Sequence, residues 1–211
     1  MTKMPPTRKR RSRQSFLKRF IQYVKGFGAT RNIFFIADTH FDHANIIRFC
    51  HRPFKDVKEM NRTLIRNWNN TVKPWDTVYF LGDWSFGRGS RPAQYWIRRL
   101  HGQIISIKGS HDRKTKGTRF YSNRVINYRG YRFLLIHDPS HKHDNWNGWV
   151  IHGHKHNNNP VLYPFINGKR KAINVSTELI NYRPVSINYL LSLNLDSIRK
   201  MRTVNSEPER W

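Results

Sequence analysis

The chain carries Asp and His in five short groups in a fixed order, and nearly every group follows a hydrophobic run of strand length. The groups are Asp38-Thr39-His40, Gly82-Asp83, Gly109-Ser110-His111-Asp112, His137 and Gly153-His154-Lys155-His156. The runs ahead of them are residues 33–37, 77–81, 103–107, 131–136 and 149–151. A side chain at the end of a core strand is held firmly yet faces a crevice, and open α/β sheets place ligand sites at that rim. Five segments delivering Asp and His to one edge make the plan of a metal centre. Metal-assisted hydrolysis is the chemistry such a centre suits.

The stretches between the groups set the architecture. Residues 33–37 read as strand, 44–50 and 57–71 as helices, with Met60, Leu64, Ile65 and Trp68 along one side of the second. A strand at 77–81, a helix at 92–100 and a strand at 103–107 follow. Beyond Gly109 helices become scarce. Residues 124–128 and 131–136 flank Arg129-Gly130 as a hairpin. Strands are expected at 149–151, 172–175 and 185–187, a polar turn at 157–160 and a brief helix at 188–193. The expected fold is α/β, a two-sheet sandwich with helices outside and the site at one rim. The expected domains are a basic arm over 1–31, one domain over 32–193 and a loosely ordered tail over 194–211. Aliphatic residues are few, but aromatics reach 14% and can supply core area in their place.

The order and content of the groups resemble the calcineurin-like metallophosphoesterase family, whose pattern is D-x-H, G-D, G-N-H-[DE], a lone H, then G-H-x-H. The likeness covers roughly residues 32–187. Stretches such as Asp38-Thr39-His40-Phe41-Asp42-His43 and Asn174-Val175-Ser176-Thr177-Glu178 look like small phosphoesterases of this type. The resemblance implies an αββα sandwich and two divalent transition-metal ions. The first ion would be held by Asp38, His40, Asp83 and His156, the second by Asp83, residue 110, His137 and His154. Mixed carboxylate and imidazole ligands suit Mn first, with Fe, Zn or Ni possible, better than Ca or Mg. The implied reaction is attack of a metal-bound hydroxide on phosphorus. His111 resembles the family's acid, and Asp112 would hold its ring in position.

One position departs from the pattern: the family's Asn is Ser110 here. A short neutral hydroxyl is a poorer ligand than an amide oxygen, so the second ion should bind more weakly. Asp38 and His40, two apart on a segment read as extended, would point the same way. His43 lies in a loop that must pass the site, and Arg52 and Arg113 can match phosphate oxygens in pairs. These three are candidate substrate contacts. His101, His141 and His143 fit no group and read as surface residues, whereas His152 alternates away from His154 and should pack inward.

Charge is the second strong signal. Against 39 Lys and Arg stand 13 Asp and Glu, a formal net of +26, and several of those acids belong to the proposed site. So large an excess calls for a polyanion. Nucleic acid, RNA ahead of DNA, is the expected partner or substrate, with an anionic membrane surface as the alternative. No acidic residue precedes Asp38. Arg8, Lys9, Arg10, Arg11 and Arg13 precede a basic amphipathic segment in which Phe16, Leu17, Phe20, Ile21 and Val24 alternate with Lys18 and Arg19. Those cations are the expected nucleic-acid contacts of the arm. Arginines also recur beside aromatics, as at Tyr95-Trp96, Phe120-Tyr121 and Tyr131-Arg132, where rings could stack on bases.

Three functions fit. The first is a two-metal phosphodiesterase or phosphatase acting on nucleic acid or a nucleotide. The second is a non-enzymatic RNA-binding or ribonucleoprotein component on the same scaffold. The third is a peripheral membrane enzyme cleaving a lipid-linked pyrophosphate. One cysteine, Cys50, excludes an internal disulfide and fits a reducing, cytoplasmic compartment. Organellar targeting by residues 1–31 is the other reading.

Overall fold

The computed structural model describes residues 30–211. The contacts expected of Arg8, Lys9, Arg10, Arg11, Arg13, Lys18 and Arg19 lie outside the described residues.

Two sheets face one another. In the first, β1 (Ile33–Ile36), β2 (Thr77–Phe80), β3 (Gln103–Ile107) and β4 (Phe120–Tyr121) run parallel, and β10 (Val185–Ser186) closes the far edge antiparallel to β1. The second sheet has the order β12-β11-β8-β9-β7-β6-β5. Its strands are β5 (Arg124–Tyr128), β6 (Tyr131–Leu135), β7 (Trp149–His152), β8 (Ile166–Asn167), β9 (Ala172–Asn174), β11 (Ile198–Met201) and β12 (Glu209–Arg210). Within it β6, β7 and β9 are parallel, so their carboxyl ends share one rim. The two-sheet α/β sandwich read from the sequence is the observed fold. Backbone bonds stitch the sheets where the site lies: Ala37 N–H donates to Val175 O at 2.9 Å, and Thr177 N–H donates to Ala37 O at 3.2 Å.

Helices α1 (Ala44–Phe49), α2 (Val57–Thr71), α3 (Ala93–Ile97) and α4 (Ile187–Ser192) complete the domain. The α2 start is capped: Asp56 accepts from Glu59 N–H at 2.7 Å, and the Glu59 carboxylate accepts from Lys55 N–H at 2.9 Å. Its buried side is Met60, Leu64 and Trp68, the face the helical period predicts. Aromatic rings fill much of the core. Trp84 stacks on Phe80 at 3.6 Å between centroids, and Phe41 on Trp96 at 4.2 Å. Such pairs contribute about 0.5–1.5 kcal/mol beyond the area they bury. The 128–131 hairpin turns through Arg129 and Gly130, both at positive φ, as a two-residue hairpin with right-handed strand twist requires.

The tail is a correction. Residues 195–210 are not loosely ordered: Leu195, Ile198 and Met201 are buried, and β11 pairs with β8. Charged neighbours Arg199 and Lys200 hide this apolar spacing in the sequence. The strand expected over 185–187 stops a residue early, because the Ser186 hydroxyl accepts from Tyr189 N–H at 3.1 Å and starts α4 there. The two-residue strands β4 and β8 were too short to read from periodicity.

Candidate metal centre

All five groups meet at the rim. Asp38 and His40 follow β1, Asp83 follows β2, Ser110 to Asp112 follow β3, His137 follows β6, and His154 and His156 follow β7. Ligand atoms of Asp38, His40 and His156 lie within 4.8 Å of one another, and so do those of Asp83, His137 and His154. Asp83 stands between the two sets: its Oδ2 is 3.6 Å from His40 Nε2 and 3.4 Å from His137 Nε2.

Close approach of the loops depends on glycine. A Cβ on Gly109 would sit 2.2 Å from Asp83 Oδ1, and one on Gly82 would sit 2.6 Å from the Gly109 Cα. The ligands themselves are held in left-handed backbone: Asp38, His40, Asp83, His154 and His156 have φ of 58°, 47°, 64°, 69° and 46°. Asp38 and His40 are therefore not extended; they converge through left-handed turns rather than strand alternation. Each such residue costs about 1–3 kcal/mol, and clusters of them mark functional sites.

The hydrogen bonds decide where lone pairs point. Leu81 O lies 2.7 Å from His137 Nδ1, so that nitrogen donates and Nε2 faces Asp83. Likewise Glu178 Oε1 is 3.1 Å from His156 Nδ1, leaving His156 Nε2 towards Asp38 Oδ1 at 3.9 Å. Asp38 Oδ2 accepts from His154 N–H at 2.9 Å and from the Ser176 hydroxyl at 2.8 Å. That leaves Asp38 Oδ1, His40 Nε2 and His137 Nε2 buried without a hydrogen-bond partner. Buried polar atoms are rarely left so, and lone pairs converging on one point are what a cation satisfies.

The electrostatics agree. Burial pulls His156 down, yet Asp38 and Glu178 hold its imidazole protonated to about 11. Burial also opposes the proton on His137, but Asp83 and Asp38 raise it to about 9. Burial pushes Asp83 up, and His137 and His40 nevertheless keep it below the usual carboxylate range. His40, dominated by burial, is lowered. The cluster thus demands positive charge, which protons supply where cations are absent. The residues fit divalent ions.

His154 is turned differently. Its Nε2 lies 3.2 Å from Asp138 Oδ2, and its Nδ1 lies 3.4 Å from Ser110 Oγ. Ser110 thus lies beside His154. His111 is exposed, with its backbone N–H donating to Asp83 Oδ1 at 2.8 Å and its ring 5.6 Å from that of His40. His43 lies beside it, 5.5 Å from the His40 ring. Arg113 is exposed and lines a cavity of about 140 Å³ together with Phe86, Arg91 and His111.

Two expected roles are corrected. Asp112 does not hold the His111 ring. It accepts instead from Asp83, Trp84 and Gly109 N–H at 2.9, 2.9 and 2.8 Å, locking two ligand loops together. Arg52 does not reach substrate, because its side chain is 0% exposed. Its guanidinium donates to Asp38 O at 2.7 Å, Thr39 O at 2.9 Å and Glu178 Oε1 at 2.7 Å. It clamps the first ligand loop.

His101 is half-buried rather than surface, with Nδ1 3.2 Å from Val72 O. His141 and His143 are exposed but line a cavity of about 430 Å³ shared with Lys108, Ser110 and His137. His152 packs inward at 1% exposure, and burial lowers it to about 4. Trp96 is a core residue, not a stacking surface. Two functional residues escaped the sequence reading, Glu178 and Asp138. Glu178 had a signal: it follows β9 within the quoted Asn174-to-Glu178 stretch, a sixth strand end at the same rim.

A family model described as calcineurin-like phosphoesterase matches residues 31–209. An uncharacterized protein of Methanocaldococcus jannaschii is 50% identical over 177 residues, 83% of this chain and 97% of that protein. The Gene 66 protein of Mycobacterium phage L5 is 35% identical over 83 residues, 38% of this chain and 40% of its own length. In fold, the chain is similar to the crystal structure of a protein of unknown function from Aquifex aeolicus. That likeness has a TM-score of 0.59 and 24% identity, covering 78% of this chain and 100% of the other.

Proposed function

This chain belongs to the calcineurin-like phosphoesterase family, and from that premise we propose that it hydrolyses a phosphodiester of a nucleic acid or nucleotide with two divalent transition-metal ions, Mn foremost. The observation that carries the two-ion reading is Asp83 Oδ2, 3.6 Å from His40 Nε2 and 3.4 Å from His137 Nε2, with both nitrogens otherwise unpartnered. Asp38, His40, Asp83 and His156 would hold one ion. Asp83, His137, His154 and Ser110 would hold the other. When bound, such a pair neutralises phosphate charge and makes nearby water more acidic.

The chain's own residues do the rest. Asp112 and Arg52 fix the loops, so the ligand atoms need little rearrangement when substrate arrives. His111 stands at the open side with its backbone anchored to Asp83, where its ring can give a proton to the departing oxygen. His43 and Arg113 face the same side and can bind phosphate oxygens. A net charge of +26 favours a polyanionic substrate and speeds its encounter.

The test is hydrolysis of bis(p-nitrophenyl) phosphate by the purified chain with Mn, Fe, Zn or Ni, alongside elemental analysis. Turnover should be metal-dependent and fall by about 10²–10³-fold in Asp83→Asn, the size that loss of one preorganised electrostatic group in a site produces. No turnover with any of the four ions would remove the proposal.

A further inference from the structure

We infer that Phe49 and Phe86 form a stacking platform for a planar aromatic group of the substrate, a nucleobase, on the side of the centre where His111 stands. The inference rests on the phosphoesterase reading of that centre and adds what it recognises. Phe49 and Phe86 are 54% and 36% exposed, among the few large apolar side chains open to solvent in the described residues. Single exposed apolar residues are ordinary. These two are not scattered, because both touch His43: its ring is 6.2 Å from Phe49 and 4.8 Å from Phe86, edge to face in each case. Phe86 is also 4.2 Å from the His111 ring. Four rings thus run from the solvent edge to the proposed proton donor.

Phe86 is not exposed through loose packing. Its N–H donates to Phe41 O at 3.3 Å, and Ser85 is bridged to Phe41, so its backbone is pinned beside the first ligand loop. After it, Gly87 and Gly89 have nothing near where a Cβ would lie, so this loop stays open to solvent. The surroundings are cationic. Arg48 lies 5.4 Å over the Phe49 ring, and Arg113 lines the cavity beside Phe86. Among the described residues Arg88 and Arg113 make no ion pair, and Lys114 is exposed next to Arg113. Open aromatic faces among unpaired cations are how proteins grip single-stranded nucleic acid, the rings taking bases and the cations taking phosphates. A phosphate ester with aliphatic arms has no use for the rings, and a lipid surface would call for more than two. Because Phe86 abuts His111, the stacked base belongs to the arm that leaves.

Dinucleoside phosphates test this, with 2-aminopurine on one side and an abasic sugar on the other, made in both orders. The full chain with Mn should quench 2-aminopurine, in a stopped-flow mixing experiment, more strongly in one order than in the other. Phe49→Leu and Phe86→Leu should each weaken that quenching. Each should also lower the ratio of kcat/KM for the base-bearing over the fully abasic substrate by about tenfold, the effect of removing one base–aromatic stack. Phe86→Trp should keep both signals. Absence of quenching in either order, or a ratio unmoved by both Leu variants, overturns the platform. If no phosphoester is cleaved at all, the hydrolase reading fails, while the quenching still decides the platform by itself.

Discussion

Glu178 holds two parts of the site at once, and neutralising it should damage both. Its carboxylate accepts from Arg52 Nε at 2.9 Å and from an Arg52 Nη at 2.7 Å, and it stands 3.1 Å from His156 Nδ1. Burial pushes Glu178 up, but Arg52 and His156 keep it well below the usual carboxylate range. In Glu178→Gln the shape and one acceptor remain while the charge goes, and the guanidinium is left facing neutral acceptors, the amide oxygen and the carbonyls of Asp38 and Thr39. Breaking a buried ion pair by removing one partner destabilises by about 3–5 kcal/mol, and the retained amide oxygen puts this change at the lower end, about 3 kcal/mol. For a domain of this size 1 kcal/mol moves Tm by about 2–4 °C, so a fall of about 6–12 °C is expected. The second effect is on metal. Losing the acceptor that orients a ligand histidine weakens metal affinity about 10–100-fold, and titration calorimetry with Mn should show it on the tighter of two binding steps. Arg52→Met and the double variant complete the test. If the pair acts as one unit, the double variant is less destabilised than the sum of the singles by about 1–3 kcal/mol. A Tm within 2 °C of the parent, or unchanged Mn affinity in Glu178→Gln, refutes the clamp.

Three further outcomes follow from the same geometry. Ser110→Asn restores the longer amide ligand next to His154 Nδ1, 3.4 Å from the present hydroxyl; the second Mn equivalent should bind about tenfold tighter, and unchanged stoichiometry and affinity would show that residue 110 is not a ligand. Asp138→Asn sets an amide against His154 Nε2, now 3.2 Å from a carboxylate oxygen; the second ion should weaken by about tenfold with Tm nearly unmoved, and a large loss of Tm would make Asp138 a folding residue instead. Gly109→Ala forces a methyl to within 2.2 Å of Asp83 Oδ1; a loss of about 1–3 kcal/mol in urea unfolding, with loss of both ions, is expected although no ligand is removed, and retention of both ions would mean the loops can separate freely.

Which parts of this site the sequence reveals follows from what each part does. The ligands were legible because Asp and His at the ends of hydrophobic runs stand out against the apolar residues before them, and five such ends in order leave few folds open. Their conformation was not legible. Two-residue spacing suggested that Asp38 and His40 alternate like strand residues, whereas both sit at positive φ, and Gly153 packs so closely that a Cβ on it would lie 2.5 Å from Asp38 Oδ2. The residues that aim the ligands were the least legible. For three of the four candidate ligand histidines something claims the other nitrogen, whereas His40 Nδ1 has no hydrogen-bond partner. Here the claimants are a backbone carbonyl at Leu81, Glu178 and Asp138. A backbone carbonyl leaves no trace in residue type, Asp138 looks like any solvated acid, and Glu178 is marked only by its place after β9. Arg52 was misread because a cation near a phosphate site suggests substrate until its partners are seen, and Asp112 because a carboxylate next to His111 suggests that it holds that ring. Arg52 is spent on the carbonyls of Asp38 and Thr39, and Asp112 on three backbone N–H groups. On the proposed function the phosphate contacts fall to cations left unpaired, and one of these, Arg113, lines the cavity that holds Phe86 and His111. On the platform proposed above, the exposed phenylalanines, rather than the buried arginine, are the guide to the substrate.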